Sequence, residues 1–143
     1  MTTTLTPLAS TTAPADRTRP VGRIARAGIA SGLGAAAANL AVSAGARQFD
    51  VSLEIREEAI PVFAFPQLTL IAAILGIGLA AVFARRAHRP GRTFVVTTVI
   101  LTALSMVPPL LADADFATKV VLGLTHIVAA IAIIPTIASR LAD

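Results

Sequence analysis

Residues 59–112 read AIPVFAFPQLTLIAAILGIGLAAVFARRAHRPGRTFVVTTVILTALSMVPPLLA. Two uncharged windows, 59–84 and 93–112, flank an eight-residue connection that carries Arg85, Arg86, Arg89 and Arg92. A hydrocarbon core about 30 Å thick is crossed by about 20 residues at a helical rise of 1.5 Å. Each window is long enough to span. Backbone groups in hydrocarbon must pair internally, and neither window has the alternation of a barrel strand, so both read as helices.

The same reading extends in both directions. Residues 27–46 and 120–139 are two further uncharged windows of 20 residues. The expectation is an all-α, four-transmembrane-helix bundle over residues 23–143, with spans at about 24–46, 63–84, 93–112 and 119–139. Residues 1–22, rich in Thr, Ala and Pro, bury too little apolar surface to offset their ordering entropy and read as a disordered cytoplasmic tail. Composition agrees. Of 143 residues, 55% are hydrophobic and 14% charged, against about 25% charged in a soluble domain. Zero Cys excludes disulfides and thiolate chemistry, and with no Trp or Tyr the usual interfacial aromatic belts are nearly missing.

Charge placement sets the threading. Arg17, Arg19, Arg23, Arg26, Arg85, Arg86, Arg89, Arg92 and Arg140 fall at one end of the four spans, with Asp16 and Asp143. Arg47, Arg56 and Lys119 fall at the other, with Asp50, Glu54, Glu57, Glu58, Asp113 and Asp115. Nine basic residues less two acidic leave +7 on the first face; three less six leave −3 on the second. Short loops rich in Lys and Arg stay cytoplasmic, so both termini are expected there, in a multi-pass protein of the cell membrane. The net charge of +4 is then a topology signal, which argues against nucleic acid as a partner. The 85–92 loop is expected to meet anionic lipid heads, each charge contributing about 1 kcal/mol. One alternative stays open: Ala44-Gly45-Ala46 resembles a signal-peptidase site, although the apolar window is longer than a signal peptide's usual 7–15 residues, which favours a retained helix.

Within the spans, Gly28 and Gly32 form a G-x-x-x-G pair continued by Ala36. In lipid, close backbone approach at small residues supplies much of the packing. This face is expected to meet a neighbouring span of the same chain, with a homo-oligomer seam as the second reading. Pro66 marks the expected start of the second helix, and Pro108-Pro109 a kink or unwinding in the third. Val51, Leu53 and Ile55 alternate with polar residues, which fits a short extended segment or an interfacial helical turn.

Polar side chains mark one level. His126 lies seven residues from Lys119, and Asn39 seven from the outer end of its window, each roughly 10 Å deep. Thr125, Thr102 and Ser105 fall within about a turn of that level. Such groups are costly in hydrocarbon unless paired, so an inward layer of Asn39, Thr102, Ser105, Thr125 and His126 is expected, joined by an Asn39–His126 hydrogen bond. The layer reads first as interhelical glue. The alternative is a small oligomeric transporter or channel-like subunit, with Glu57, Glu58, Asp113 and Asp115 forming a cation-attracting mouth, or a Ca²⁺ or Mg²⁺ site if the loops converge. His88 reads as a solvent-exposed residue of the basic loop. No hydrolase, nucleotide-binding or metalloenzyme motif is present, so no catalytic, cofactor-binding or metal-ligating residue is named and a non-enzymatic structural or accessory component is expected.

Arg89-Pro90-Gly91-Arg92-Thr93-Phe94, and Leu124-Thr125-His126-Ile127-Val128 followed by Ile134-Pro135, resemble an actinobacterial family of small, uncharacterised four-span integral membrane proteins. The likeness runs from Ile24 to Leu141. Members often carry Met where this chain has Thr125. The resemblance implies four helices and a His–Pro fourth span, and it transfers no activity.

Overall fold

The structure, a computed structural model, describes residues 19–141. The expected disordered tail lies outside them except for its last four residues, which are helical. The first helix, α1, runs Arg19–Gln48. A two-stranded hairpin follows, β1 (Glu54–Ile55) against β2 (Glu58–Ala59). Then come α2 (Ala64–Arg86), α3 (Pro90–Ser105), α4 (Val107–Leu111) and α5 (Phe116–Ala138). With α3 and α4 taken as one span, four helical segments among the described residues are long and apolar enough to cross a membrane. The chain is a multi-pass membrane protein.

Each boundary has a local cause. Helix α1 ends in a Schellman motif: the Val51 amide donates to the Ala46 carbonyl at 3.1 Å and the Asp50 amide to Arg47 at 3.2 Å. Asp50 takes the left-handed φ of 59° that glycine usually supplies there. Helix α2 starts two residues before Pro66, since amides of a first turn have no intrahelical partner to lose. Pro108 and Pro109 lack amides for the carbonyls one turn back, so α3 stops at Ser105 and a new turn, α4, begins at Val107. At the break the Met106 amide bonds Ala103 at 3.3 Å, tightening the chain toward a 3₁₀ turn. The expected interruption is therefore a local break at Met106, after which the span continues.

Helix α1 packs on α2 and α5, and α3 lies on the far side of that pair. Of the α3 residues, only Gly91 and Phe94 are buried. One apolar cluster joins Ile24, Ala80, Phe94, Ile133, Ile137 and Leu141, so the described ends of the chain share one end of the bundle. A second, of Leu53, Phe65 and Val121, closes the other end. Large apolar side chains cover the outside, among them Ile74 at 66%, Leu104 at 60% and Ile131 at 69% exposure. Apolar patches of that extent are not carried by soluble monomers; here they face hydrocarbon.

Candidate functional site

Small residues bring α1 and α2 together at the centre. A Cβ built on Gly28 would lie 2.3 Å from Ile77 Cγ1, and one on Gly32 would lie 2.6 Å from Ala73 Cβ. Ala36 is buried one turn further on. The G-x-x-x-G face is thus occupied by α2 of the same chain.

Just beyond it lies the polar level. Asn39, 1% exposed, donates from Nδ2 to Thr69 Oγ1 at 2.8 Å and to the Thr125 backbone carbonyl at 3.0 Å. The Thr69 hydroxyl in turn donates to the Phe65 carbonyl at 2.8 Å. One amide thereby ties α1 to both α2 and α5. Its Oδ1 is buried without a hydrogen-bond partner.

This differs from the expected layer. Asn39 does not bond His126, whose Nδ1 pairs with the Leu122 carbonyl of its own helix at 2.7 Å. Successive helical residues point about 100° apart, and Thr125 is the one buried towards the bundle centre. A side chain at Gly123, one turn before His126, would instead meet Met106 at 3.5 Å. Thr125 keeps its hydroxyl on the Leu122 carbonyl at 2.8 Å and contributes only its backbone to Asn39. Thr102 is half-buried, and Ser105 is exposed and bonded to the Thr102 carbonyl at 2.8 Å, so neither hydroxyl joins the layer. The partner missing from the expected set, Thr69, was within reach of the same counting: it sits six residues inside the expected start of its span at 63, at the depth of Asn39.

At the acidic end the connections are built from backbone. Arg56 and Glu57 form the two-residue loop of the β1–β2 hairpin with φ of 50° and 64°, the pattern of a type I′ turn without its usual Asn-Gly. Leu53, fully buried at φ 50°, plugs this end against Phe65 and Val121. Of the alternating segment, only Glu54–Ile55 form a strand, while Leu53 and Arg56 are left-handed, so the extended reading holds for those two residues. The Arg56 amide donates to the Asp113 carbonyl at 2.8 Å, and the Ser52 hydroxyl to Asp115 Oδ2 at 2.8 Å. Asp115 also caps α5 by accepting from the Thr118 amide. That bond first, and the Ser52 hydroxyl second, hold its carboxyl below the ordinary Asp range. Among the described residues, no three His, Asp or Glu side chains are grouped to hold a metal ion, so the loops do not gather Glu57, Glu58, Asp113 and Asp115 into a cation site. Phe49, Phe63 and Phe116 stand exposed at helix ends around this rim, a partial aromatic girdle of the kind that Trp and Tyr usually form.

A family of unknown function, DUF6069, matches residues 19–143, from the first residue of α1 onward. The chain belongs to DUF6069. No curated protein and no solved structure matches it. Membership covers all four spans of this DUF6069 chain and carries no assigned activity.

Proposed function

We propose that this DUF6069 protein is a non-enzymatic structural or accessory component of the cell membrane, with both termini in the cytoplasm. The observation that carries this is the Asn39 tie: the Nδ2 group of the buried Asn39 joins three helices, through Thr69 of α2 and the Thr125 carbonyl of α5. The single histidine inside a span is bonded within its own helix. A groove of about 170 Å³ between α1 and α2 is lined by Ile29, Leu33, Leu70, Ile74 and Ile77 with Gly32 and Ala73, which suits an acyl chain better than a polar solute. The arginine end supports the cytoplasmic placement through the positive-inside rule.

A second reading, a small oligomeric transporter or channel-like subunit, draws on Asn39 Oδ1, a buried acceptor with no donor. Stability and flux separate the two. Under the accessory reading, Thr69→Val costs about 0.6–1.7 kcal/mol of unfolding stability in micelles, the range of interhelical hydrogen bonds in membranes. His126→Leu changes it by less than about 0.5 kcal/mol, as for substitutions that break no tertiary contact. Vesicles containing a pH-sensitive dye leak protons no faster with the protein than without it. Protein-dependent proton flux that His126→Leu abolishes would overturn the accessory reading.

A further inference from the structure

Seven arginine side chains, Arg23, Arg26, Arg85, Arg86, Arg89, Arg92 and Arg140, are all exposed at one end of the bundle. Every Asp and Glu of the described residues lies at the opposite end, and none of the seven guanidiniums makes a hydrogen bond or ion pair with a described residue. Their spacing is not left to loose loops. Ile24 lies between Arg23 and Arg26, Ala84 precedes Arg85, Phe94 is two residues past Arg92, and Leu141 follows Arg140. All four of these apolar residues belong to one packed cluster. Folding therefore concentrates seven like charges on a single platform, at a cost in mutual repulsion. Anions at the rim of the adjoining bilayer leaflet would offset that cost.

We propose that this platform is a binding surface for anionic phospholipid headgroups, and that these lipids stabilise the folded bundle. The ligand chemistry is a phosphodiester bearing net negative charge and held in the plane of the membrane. Arginine suits it, because its planar fork binds phosphate oxygens in pairs. Each arginine near such a surface contributes roughly fivefold in affinity, equivalent to about 1 kcal/mol. Only a folded chain presents all four helix ends together, so the lipid favours the folded state by linkage.

The test uses the full chain in nanodiscs of phosphatidylcholine, with and without phosphatidylglycerol, followed by thermal unfolding. Phosphatidylglycerol is expected to raise the midpoint, with the increment shrinking in high salt as screening shortens the reach of the charges. The variant R85Q/R86Q/R89Q/R92Q is expected to unfold at the wild-type midpoint or higher in pure phosphatidylcholine and to lose most of the increment. Should that variant fail to fold, R23Q/R26Q gives the same comparison. R56Q/K119Q, at the opposite end, keeps the full increment. An equal increment in wild type and arginine variants would show a bulk bilayer effect and overturn the proposal. So would stabilisation in phosphatidylcholine discs by inorganic phosphate or RNA with none from phosphatidylglycerol.

Discussion

The contact between Gly32 and Ala73 allows a sharp test of how α1 and α2 are held. Adding a methyl at Gly32 would place its carbon 2.6 Å from the Ala73 Cβ. Non-bonded carbons rest about 3.5–4.0 Å apart, so the helix axes must part locally by about 1 Å. Neither methyl has a rotamer to escape into, and the strain falls on the backbones. Overpacking of this kind costs about 1–3 kcal/mol, a factor of roughly 5 to 150 in the unfolding equilibrium. Gly34, two residues further on and turned away from Ala73, with nothing within 4 Å of its own added methyl, is the control. Gly34→Ala should be neutral or stabilising by up to about 1 kcal/mol, from helix propensity alone. Ala73→Gly in the Gly32→Ala background exchanges the methyl from one helix to the other and should recover most of the loss. Denaturant titration in mixed micelles, read by helicity, measures these four proteins, and Ala73→Gly alone completes the cycle that gives the coupling between the two sites. If Gly32→Ala unfolds at the wild-type midpoint, or if Ala73→Gly deepens its defect, the close approach of α1 and α2 at this point is refuted.

Two further expectations concern the acidic end. Replacing Arg56-Glu57 by Asn-Gly supplies residues that tolerate the observed φ of 50° and 64°, and should raise unfolding stability by about 1–2 kcal/mol without altering helicity; a lower melting temperature for the double variant would contradict the I′ turn. Asp115 has a folded-state pKa below its unfolded value, so its stabilising effect is present above the unfolded value of about 3.9 and disappears as pH falls through the lower folded value. Asp115→Asn should therefore melt earlier than wild type at pH 7, with the gap closing below about pH 4 as wild-type Asp115 protonates. A gap that persists unchanged at pH 2 would mean that the carboxylate charge plays no part in holding Ser52 and the Thr118 amide.

How far the chain could be read without coordinates follows from what each property depends on. Partition into hydrocarbon is a sum over neighbouring residues, so 93–112 and 120–139 announce themselves wherever their partners lie. The break near Pro108-Pro109 and the grouping of arginines at one end are likewise local in sequence. Depth is also countable, at 1.5 Å per residue, which is why Asn39 and Thr125 were placed at one level. Azimuth is not. Thr125 and His126 differ by about 100° around α5, and only the rotation of packed helices decides that Thr125 faces Asn39 while His126 turns aside. The same freedom put Thr69 at the amide and left Ser105 on the exposed flank of α3. The left-handed turn at Arg56-Glu57 gave no local signal, because neither residue favours it; contacts from Asp113 and the buried Leu53 impose it. Composition chose the solvent and the number of crossings, since both follow from local free energies of transfer. Tertiary packing chose which polar groups meet, because that depends on how the helices are rotated against one another.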